Sequence, residues 1–551
     1  MILHDEKTIR EYTAAGYWGT RTLIDTLREQ VAAHSDRVAV LDPADRADLV
    51  GTEPQQKTWT DVGAAAEAIA TRLLELGLKK DDVVIIHLPN VWELVVLYFG
   101  VSMAGGIPSP LPMQWRQHEL GHVAQTTGAR FYIAADRFKG AEYLSLVDKL
   151  SDDHRIEHRI GLEELTQWAT SGASNPGLLS RVSLDANDVF TLCWTSGTES
   201  LPKGTPLSHN NWFFQSGRVL SLVDVRDGDR ILCAAPIVNM TGVGAMMLPW
   251  LFRAGTLILH HPLNLELFVE QLATAGVQFS SLVPAMLNMI CKLPNVDQID
   301  LSQIRTLAVG SAPPSAFAIQ EFKRRWNIEI INLWGQNEGT ALVAGPHDVP
   351  DPLQRVDHLP WWGREGVQWA SAIPGVQVKI VGEDGVALTE PGSVGELAYK
   401  GPNVFPGYFK RPDVNAKSFD ADGFFYTGDT FKILEGNFVS FFDRKKDIII
   451  RGGFNISAAE VENMALGHPA IVDCAAIAVP DEIMGEKVCL CVVARDAARP
   501  PTLGEVTGWM REQGFGSYKL PESLRVVEAI PRNPVGKILK RELREAATNA
   551  N

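Results

Sequence analysis

The segment 195–204, TSGTESLPKG, crowds the hydroxyls of Thr195, Ser196, Thr198 and Ser200 together with Gly197 and Lys203, directly after an apolar run ending at Trp194. Unhindered hydroxyl and backbone donors beside a cation are what a phosphate cradle requires. A Walker-type loop is excluded, because Pro202 stands where glycine is needed and Gly204 where Ser or Thr is needed. Taken alone, a surface loop rich in serine and threonine explains the segment equally well. Four more segments carry chemistry-capable residues: 310–313 (GSAP), 332–338 (NLWGQNE), 426–429 (YTGD) and Lys537 within PRNPVGKILKREL. Each also has a plain reading, as a strand-end turn, a packed Trp-Gly pair, a Gly-Asp turn and a solvated lysine near Arg532, Lys540 and Arg541.

Bulk properties narrow the field. Over 551 residues the formal charge is −15, which argues against nucleic acid or an anionic membrane as the main partner. The six cysteines form no CxxC pair and no zinc spacing, so buried free thiols in a reducing cytoplasm are expected. The start, MILHDEKTIREY, lacks the apolar run of a signal peptide. The apolar stretch 245–259 is broken by Pro249, Arg253 and Gly255, too short to span a bilayer. No GxGxxG follows a strand with a later acidic residue, which disfavours a dinucleotide-dependent oxidoreductase.

Short apolar runs alternate with helical patterns through most of the chain. Strands are predicted at 83–88, 131–135, 189–194, 231–236, 256–261, 279–284, 306–311 and 329–334. Asn90 with Glu93 reads as a capping box opening a helix to about Ala104, apolar nearly all round and therefore internal. This is layered α/β structure with largely parallel sheets, whose ligands bind at the carboxyl ends of the strands. After about Gly375, the turns at Asp384-Gly385, Asp422-Gly423 and Glu435-Gly436-Asn437 punctuate short alternating runs and predict an antiparallel barrel or sheet. The expected organisation is an N-terminal domain over 1–443, with two α/β subdomains and a small β-barrel from about 375, and a small mobile α+β domain over 444–551.

Taken together, the five segments resemble the adenylate-forming superfamily of acyl- and aryl-CoA ligases, carrier-loading adenylation domains and luciferases, over about residues 10–545. TSGTESLPKG is similar to its phosphate loop, TSGTTGxPKG, with Glu199 and Ser200 as departures. The resemblance implies that Thr195, Ser196, Gly197, Thr198 and Lys203 bind the phosphates. It implies that Gly310, Ser311, Ala312 and Pro313 line the adenine and acyl pocket. It implies that Asn332, Trp334, Gly335, Gln336 and Asn337 hold the nucleotide, Trp334 giving its flat face to adenine and Asn337 an amide to the α-phosphate. Glu338, with Thr198, is implied as a Mg²⁺ ligand, and Asp429 with Arg444 as the ribose and phosphate contact. Lys537 is the implied adenylation lysine. Lys446 is the implied hinge, about which the C-terminal domain rotates to bring in Gly452 and Gly453 beside a pantetheine arm.

The activity implied is two-step: ATP and an acid give acyl-AMP and pyrophosphate, and the acyl group then passes to a thiol. CoA is preferred because the chain shows no carrier domain; a stand-alone enzyme loading a separate carrier protein is the alternative, and a silent nucleotide- or acyl-binding homologue is the rival of another class. ATP, Mg²⁺ and CoA are therefore the expected small molecules, and a homodimer the candidate assembly. The acyl pocket is expected around Trp212, Phe213, Asn239, Met240 and Val243. Its apolar lining favours a hydrophobic acid, medium-chain, alicyclic or aromatic, over acetate. Asn239 stands where a bulkier gate residue is common in the family.

Overall fold

The computed structural model describes residues 1–551 apart from 152, 196–201, 311–313, 370–372, 446, 452–453, 482–483, 514, 534–536 and 549–551. All eight predicted strands are present, each within a few residues of its expected bounds. They are short, β-branched or aromatic, and buried on both faces, the pattern of strands covered by helices on either side.

Two sheets organise the first 350 residues. In the larger, eight strands run in the order Ala341–Ala344, Glu329–Gly335, Thr306–Val309, Phe279–Leu282, Arg230–Cys233, Thr256–Leu259, Val38–Leu41 and Gln56–Thr58. The inner six are mutually parallel and the two edge strands antiparallel. The smaller sheet is wholly parallel: Ile107–Pro110, Val83–His87, Phe131–Ala134 and His158–Gly161. Helix Trp92–Met103 is buried at every residue, as its all-round apolar sequence requires. It meets helix Trp59–Glu75 so closely that a Cβ on Gly100 would lie 2.8 Å from Ile69.

The capping box expected at Asn90 and Glu93 is absent. The N-cap is Val91, and Asp42 accepts from the Trp92 N–H at 2.9 Å instead. Asn90 is drawn off to the Ala235 carbonyl and the Ile237 N–H, and Glu93 to a bidentate pair with Arg46. Tertiary partners outcompete the local box because both side chains are fully buried, where a charge-assisted pair is stronger than a cap at a wet helix end.

The expected barrel region forms a six-stranded antiparallel sheet: Leu359–Pro360, Phe438–Arg444, Phe425–Ile433, Val394–Lys400, Gln377–Val381 and Ala387–Leu388. Among the described residues its two edges do not pair, so the sheet stays open. Both edge strands are two residues long, too short for the staggered pairing that closes a barrel. The turns at Gly385 and at Gly436-Asn437 have positive φ, as hairpin connections need.

The C-terminal part is a smaller α+β unit with its own core around Ile449, Val461, Ala476 and Val506. Five strands, dominated by the Ile471–Asp481 and Gly485–Ala494 hairpin, carry helices Ala458–Leu466, Leu503–Glu512 and Lys540–Thr548. Asp443 caps the first of these helices, accepting from the Ala458 N–H at 2.6 Å. All six cysteines are buried and free. Among the described residues, no helix is long and apolar enough to cross a membrane.

Candidate active site

A cavity of about 860 Å³ opens over the carboxyl ends of the five strands in the middle of the large sheet. Ala234, His261, Val283, Gly310 and Trp334 come from those ends, where parallel strands release their chains into loops. The antiparallel sheet contributes Asp429 and Arg444, the hairpin of Val189–Thr195 with Lys203–Ser208 contributes Thr195 and Lys203, and the C-terminal unit contributes Asn533 and Lys537. Residues from four separate parts of the chain thus meet in one space.

Asp429 anchors one wall. One carboxylate oxygen accepts from the Trp334 indole N–H at 2.9 Å and from the Gln336 amide at 3.1 Å. Arg444, its cross-strand partner, brings Nε to 3.8 Å from the other oxygen. Phe431 and Trp334 pack with their rings at right angles, centres 5.2 Å apart, an arrangement that holds the indole in place. Trp334, Asp429, Arg444 and Lys537 also border a second cavity of about 1040 Å³ between the two parts of the chain.

Glu338 also lines the cavity, nearly buried, with the Tyr408 hydroxyl donating to it at 2.7 Å. Burial, and then the adjacent carboxylate, push the Tyr408 phenol well up, so it stays a donor. Lys203 lies 4.0 Å from the Tyr408 ring centre. No described cation pairs with Glu338, and among the described residues no cluster of three acidic, histidine or cysteine side chains could hold a metal unaided. A lone hard carboxylate facing a cavity suits Mg²⁺, which binds through one or two carboxylates and fills its shell with water and substrate phosphates.

Backbone geometry makes room for these walls. Gly339 has φ +89°, and a Cβ there would lie 1.9 Å from the Asn403 carbonyl, so only glycine turns the chain after Glu338. Asn337 is committed as a clamp: its carbonyl accepts from the Met240 N–H at 2.8 Å and its amide donates to the Trp194 carbonyl at 3.2 Å. One amide hydrogen remains for a ligand.

Several sequence expectations need correction. Trp212, Phe213 and Val243 do not line the cavity. Trp212 is fully buried with its indole held by Thr191, Phe213 stacks on Phe252 at 5.4 Å, and Val243 is core. Asn239 and Met240 do line it, Asn239 also capping helix Met240–Met247. Asn332 faces the second cavity and spends its amide on the carbonyls of Arg355 and Val356. Ser196, Gly197, Thr198, Ser311, Ala312, Pro313, Lys446, Gly452 and Gly453 lie outside the described residues. Tyr408, His261 and Asn533 are among the lining residues that escaped the sequence reading. Asn533 and Lys537 exchange reciprocal bonds, N–H to carbonyl at 2.8 Å and N–H to side chain at 2.9 Å, which tie the lysine's backbone to Asn533.

Known proteins share this arrangement. Residues 27–409 match the model for the AMP-binding enzymes and residues 460–537 the model for the AMP-binding enzyme C-terminal domain. The chain is 30% identical to a medium-chain fatty-acid–CoA ligase of Escherichia coli, covering 99% of this chain and 94% of the relative. It is 28% identical to a salicyl-AMP ligase / salicyl-S-ArCP synthetase of Mycobacterium tuberculosis, covering 97% and 92%. The crystal structure of ATP-bound MatB from Rhodopseudomonas palustris superposes with a TM-score of 0.81 at 25% identity, covering 97% of this chain and all of that one. The chain therefore belongs to the AMP-binding, adenylate-forming enzymes. Within that class it is an ATP-dependent ligase that activates acids as adenylates.

Proposed function

We propose that the protein is an acyl-CoA ligase for a hydrophobic carboxylic acid. The supporting observation is that one cavity is lined by Trp334, Asp429, Arg444 and Lys537 together with the apolar side chains of Val238, Met240, Ala245, Leu282 and Met286. The likeness to a medium-chain fatty-acid–CoA ligase points to the same substrates and acceptor.

In the first half-reaction the acid's carboxylate oxygen attacks the α-phosphorus of ATP, the bond to the β-phosphate breaks, and pyrophosphate leaves. Trp334 stacks on adenine, Asp429 accepts from the ribose hydroxyls, and Arg444 and Lys203 face the phosphates. The Lys537 ammonium sits where negative charge grows between carboxylate and α-phosphate. Glu338, with Thr198, would hold Mg²⁺, which when bound would supply positive charge to offset that of the pyrophosphate. No protein nucleophile is required.

In the second half-reaction the CoA sulfur attacks the acyl carbon, the acyl–phosphate bond breaks, AMP leaves, and the thiol proton is lost to solvent. The C-terminal domain, 444–551, swings about Lys446 between the steps, withdrawing Lys537 and bringing in Gly452 and Gly453, which leave space for a thin pantetheine arm. Six free buried thiols suit a reducing cytoplasm.

The test is pyrophosphate release with octanoate, cyclohexanecarboxylate, benzoate and acetate, with and without CoA, followed by mass spectrometry of the thioester. ATP- and acid-dependent release with thioester on CoA is expected, strongest for the larger acids. Release without any CoA thioester, but with acyl transfer to an added phosphopantetheinylated carrier, would favour the second reading, which the salicyl-S-ArCP synthetase relative supports.

A further inference from the structure

Asp443 belongs to one part of the molecule by its backbone and to the other by its side chain. Its main chain lies in strand Phe438–Arg444 of the antiparallel sheet, in register with Thr430, whose hydroxyl donates to the Asp443 carbonyl at 2.8 Å. Its carboxylate, only 3% exposed, reaches into the C-terminal unit. One oxygen accepts from the Ala458 N–H at 2.6 Å and the Ala459 N–H at 3.3 Å, the first two N–H groups of helix Ala458–Leu466. Those groups have no partner within their own helix, and the positive end of the helix dipole adds to the attraction. Ser457, the N-cap of that helix, donates to the Phe442 carbonyl of the same strand. A buried ammonium completes the contact. Lys540 opens helix Lys540–Thr548, is 8% exposed, and pairs with Glu462 of helix Ala458–Leu466 at 2.9 Å. Burial raises the Asp443 carboxyl, and the Lys540 charge is the foremost influence opposing it. The segment that carries Lys537 ends at this lysine, tied down by the Leu539 N–H donating to the Pro531 carbonyl at 2.8 Å.

We propose that Asp443 is a positioning residue for adenylate formation: anchored in the sheet, its carboxylate grips helix Ala458–Leu466 beside the Lys540 charge and so holds the C-terminal unit in the orientation that places Lys537 on the cavity. The inference rests on the ligase reading above, in which that unit turns about Lys446 between the half-reactions. Ser457, Ala458, Ala459 and Lys540 lie beyond the pivot and Asp443 before it, so the turn has to break the grip. The Lys540–Glu462 pair lies wholly beyond the pivot and travels intact. A contact made in one orientation and lost in the other shifts the balance between them by that difference. Asp443 therefore favours the adenylating orientation and contributes nothing to thiol transfer.

The experiment uses the full-length protein, the acid that the wild type activates fastest, and the synthetic adenylate of that acid. Single-turnover rates are measured for each half-reaction in the wild type, D443A, K537A and the double variant. D443A should slow adenylate formation about tenfold, the scale for a displaced catalytic group, with KM for ATP nearly unmoved. Thioester formation from the supplied adenylate should be unchanged or faster. In the K537A background D443A should cost less than about twofold, because it acts through that lysine. Adenylate formation unmoved, an equal loss in both half-reactions, or the full tenfold loss repeated in the K537A background would overturn the assignment. So would a loss carried by KM for ATP, which would trace to the other Asp443 oxygen and its bond from the Arg444 N–H at 2.7 Å. If D443A does not fold, D443N, which keeps an acceptor for Ala458 and loses the charge beside Lys540, is read for the same split between half-reactions, and an unmoved split overturns the proposal equally. In all these cases pyrophosphate release by the wild type leaves the ligase reading standing; no release by the wild type with any acid sinks both.

Discussion

The Trp334 indole donates to the Asp429 carboxylate at 2.9 Å, joining residues 95 positions apart that belong to different sheets. The bond fixes the plane of the ring and the orientation of the carboxylate together. A nucleotide entering between them meets a stacking face and a ribose acceptor already set at one geometry, and preorganisation of that kind lowers the ordering cost of binding.

Trp334→Phe keeps an aromatic face and removes the donor. A hydrogen bond to a charged group contributes about 1.5 kcal/mol or more, so KM for ATP should rise roughly tenfold. Steady-state pyrophosphate release against ATP concentration measures it. An unchanged KM would mean that the Gln336 bond alone holds Asp429.

Tyr408→Phe removes the one hydrogen bond to the Glu338 side chain found among the described residues. Outer partners of metal ligands typically carry 10- to 100-fold in affinity, so half-maximal activity should require about tenfold more Mg²⁺. The check is a Mg²⁺ titration at saturating ATP and acid. A lower rate with an unmoved Mg²⁺ midpoint would assign Tyr408 to packing.

Lys537→Ala should lower adenylate formation by about a hundredfold or more, the scale for losing one preorganised charge partner. Thioester formation from a supplied acyl-adenylate should stay largely intact, because in the proposed cycle the rotated C-terminal domain no longer uses this lysine. Single-turnover assays of the two half-reactions separate the effects. Equal loss in both would sink the division of labour.

His209 is fully buried, held down to about 4 mainly by burial, and its Nδ1 accepts from the Leu23 N–H at 3.2 Å. Its folded pKa lies below the unfolded value near 6.5, so between those values the unfolded chain binds the extra proton. The stability it supports is complete above about pH 6.5 and is lost as pH falls toward 4, by about 2 kcal/mol at pH 5. Asp42, raised to about 6 chiefly by burial, works in the opposite direction and must be cancelled. Comparing urea midpoints of the wild type and His209→Asn at pH 7.5 and 5 does this. The wild type's advantage should shrink at pH 5; a growing advantage would contradict the sign.

Legibility in the sequence followed the range of the forces involved. Strands such as Phe131–Ala134 and the internal helix Trp92–Met103 depend on side chains close in sequence, and their patterns announced them. The capping box at Asn90 was misread because Asp42, Arg46 and Ala235, remote in sequence, supply better partners. Trp212 looked like pocket lining by its neighbourhood, yet its indole turns to Thr191. Whether a side chain on a short helix faces a cavity or the core is set by which neighbour accepts its polar atom, and one chain position cannot show that.

The sequence alone determined the alternation of strand and helix and the residue types able to bind phosphate, stack on a base and offset charge, because spacing and side-chain chemistry are local properties. Only the tertiary structure decided that Thr195, Trp334, Glu338, Asp429 and Lys537 border one cavity and that Asn332 and Phe213 do not. Those outcomes depend on where parallel strands release their chains and on which buried polar groups find partners, and both are settled by contacts between segments hundreds of residues apart.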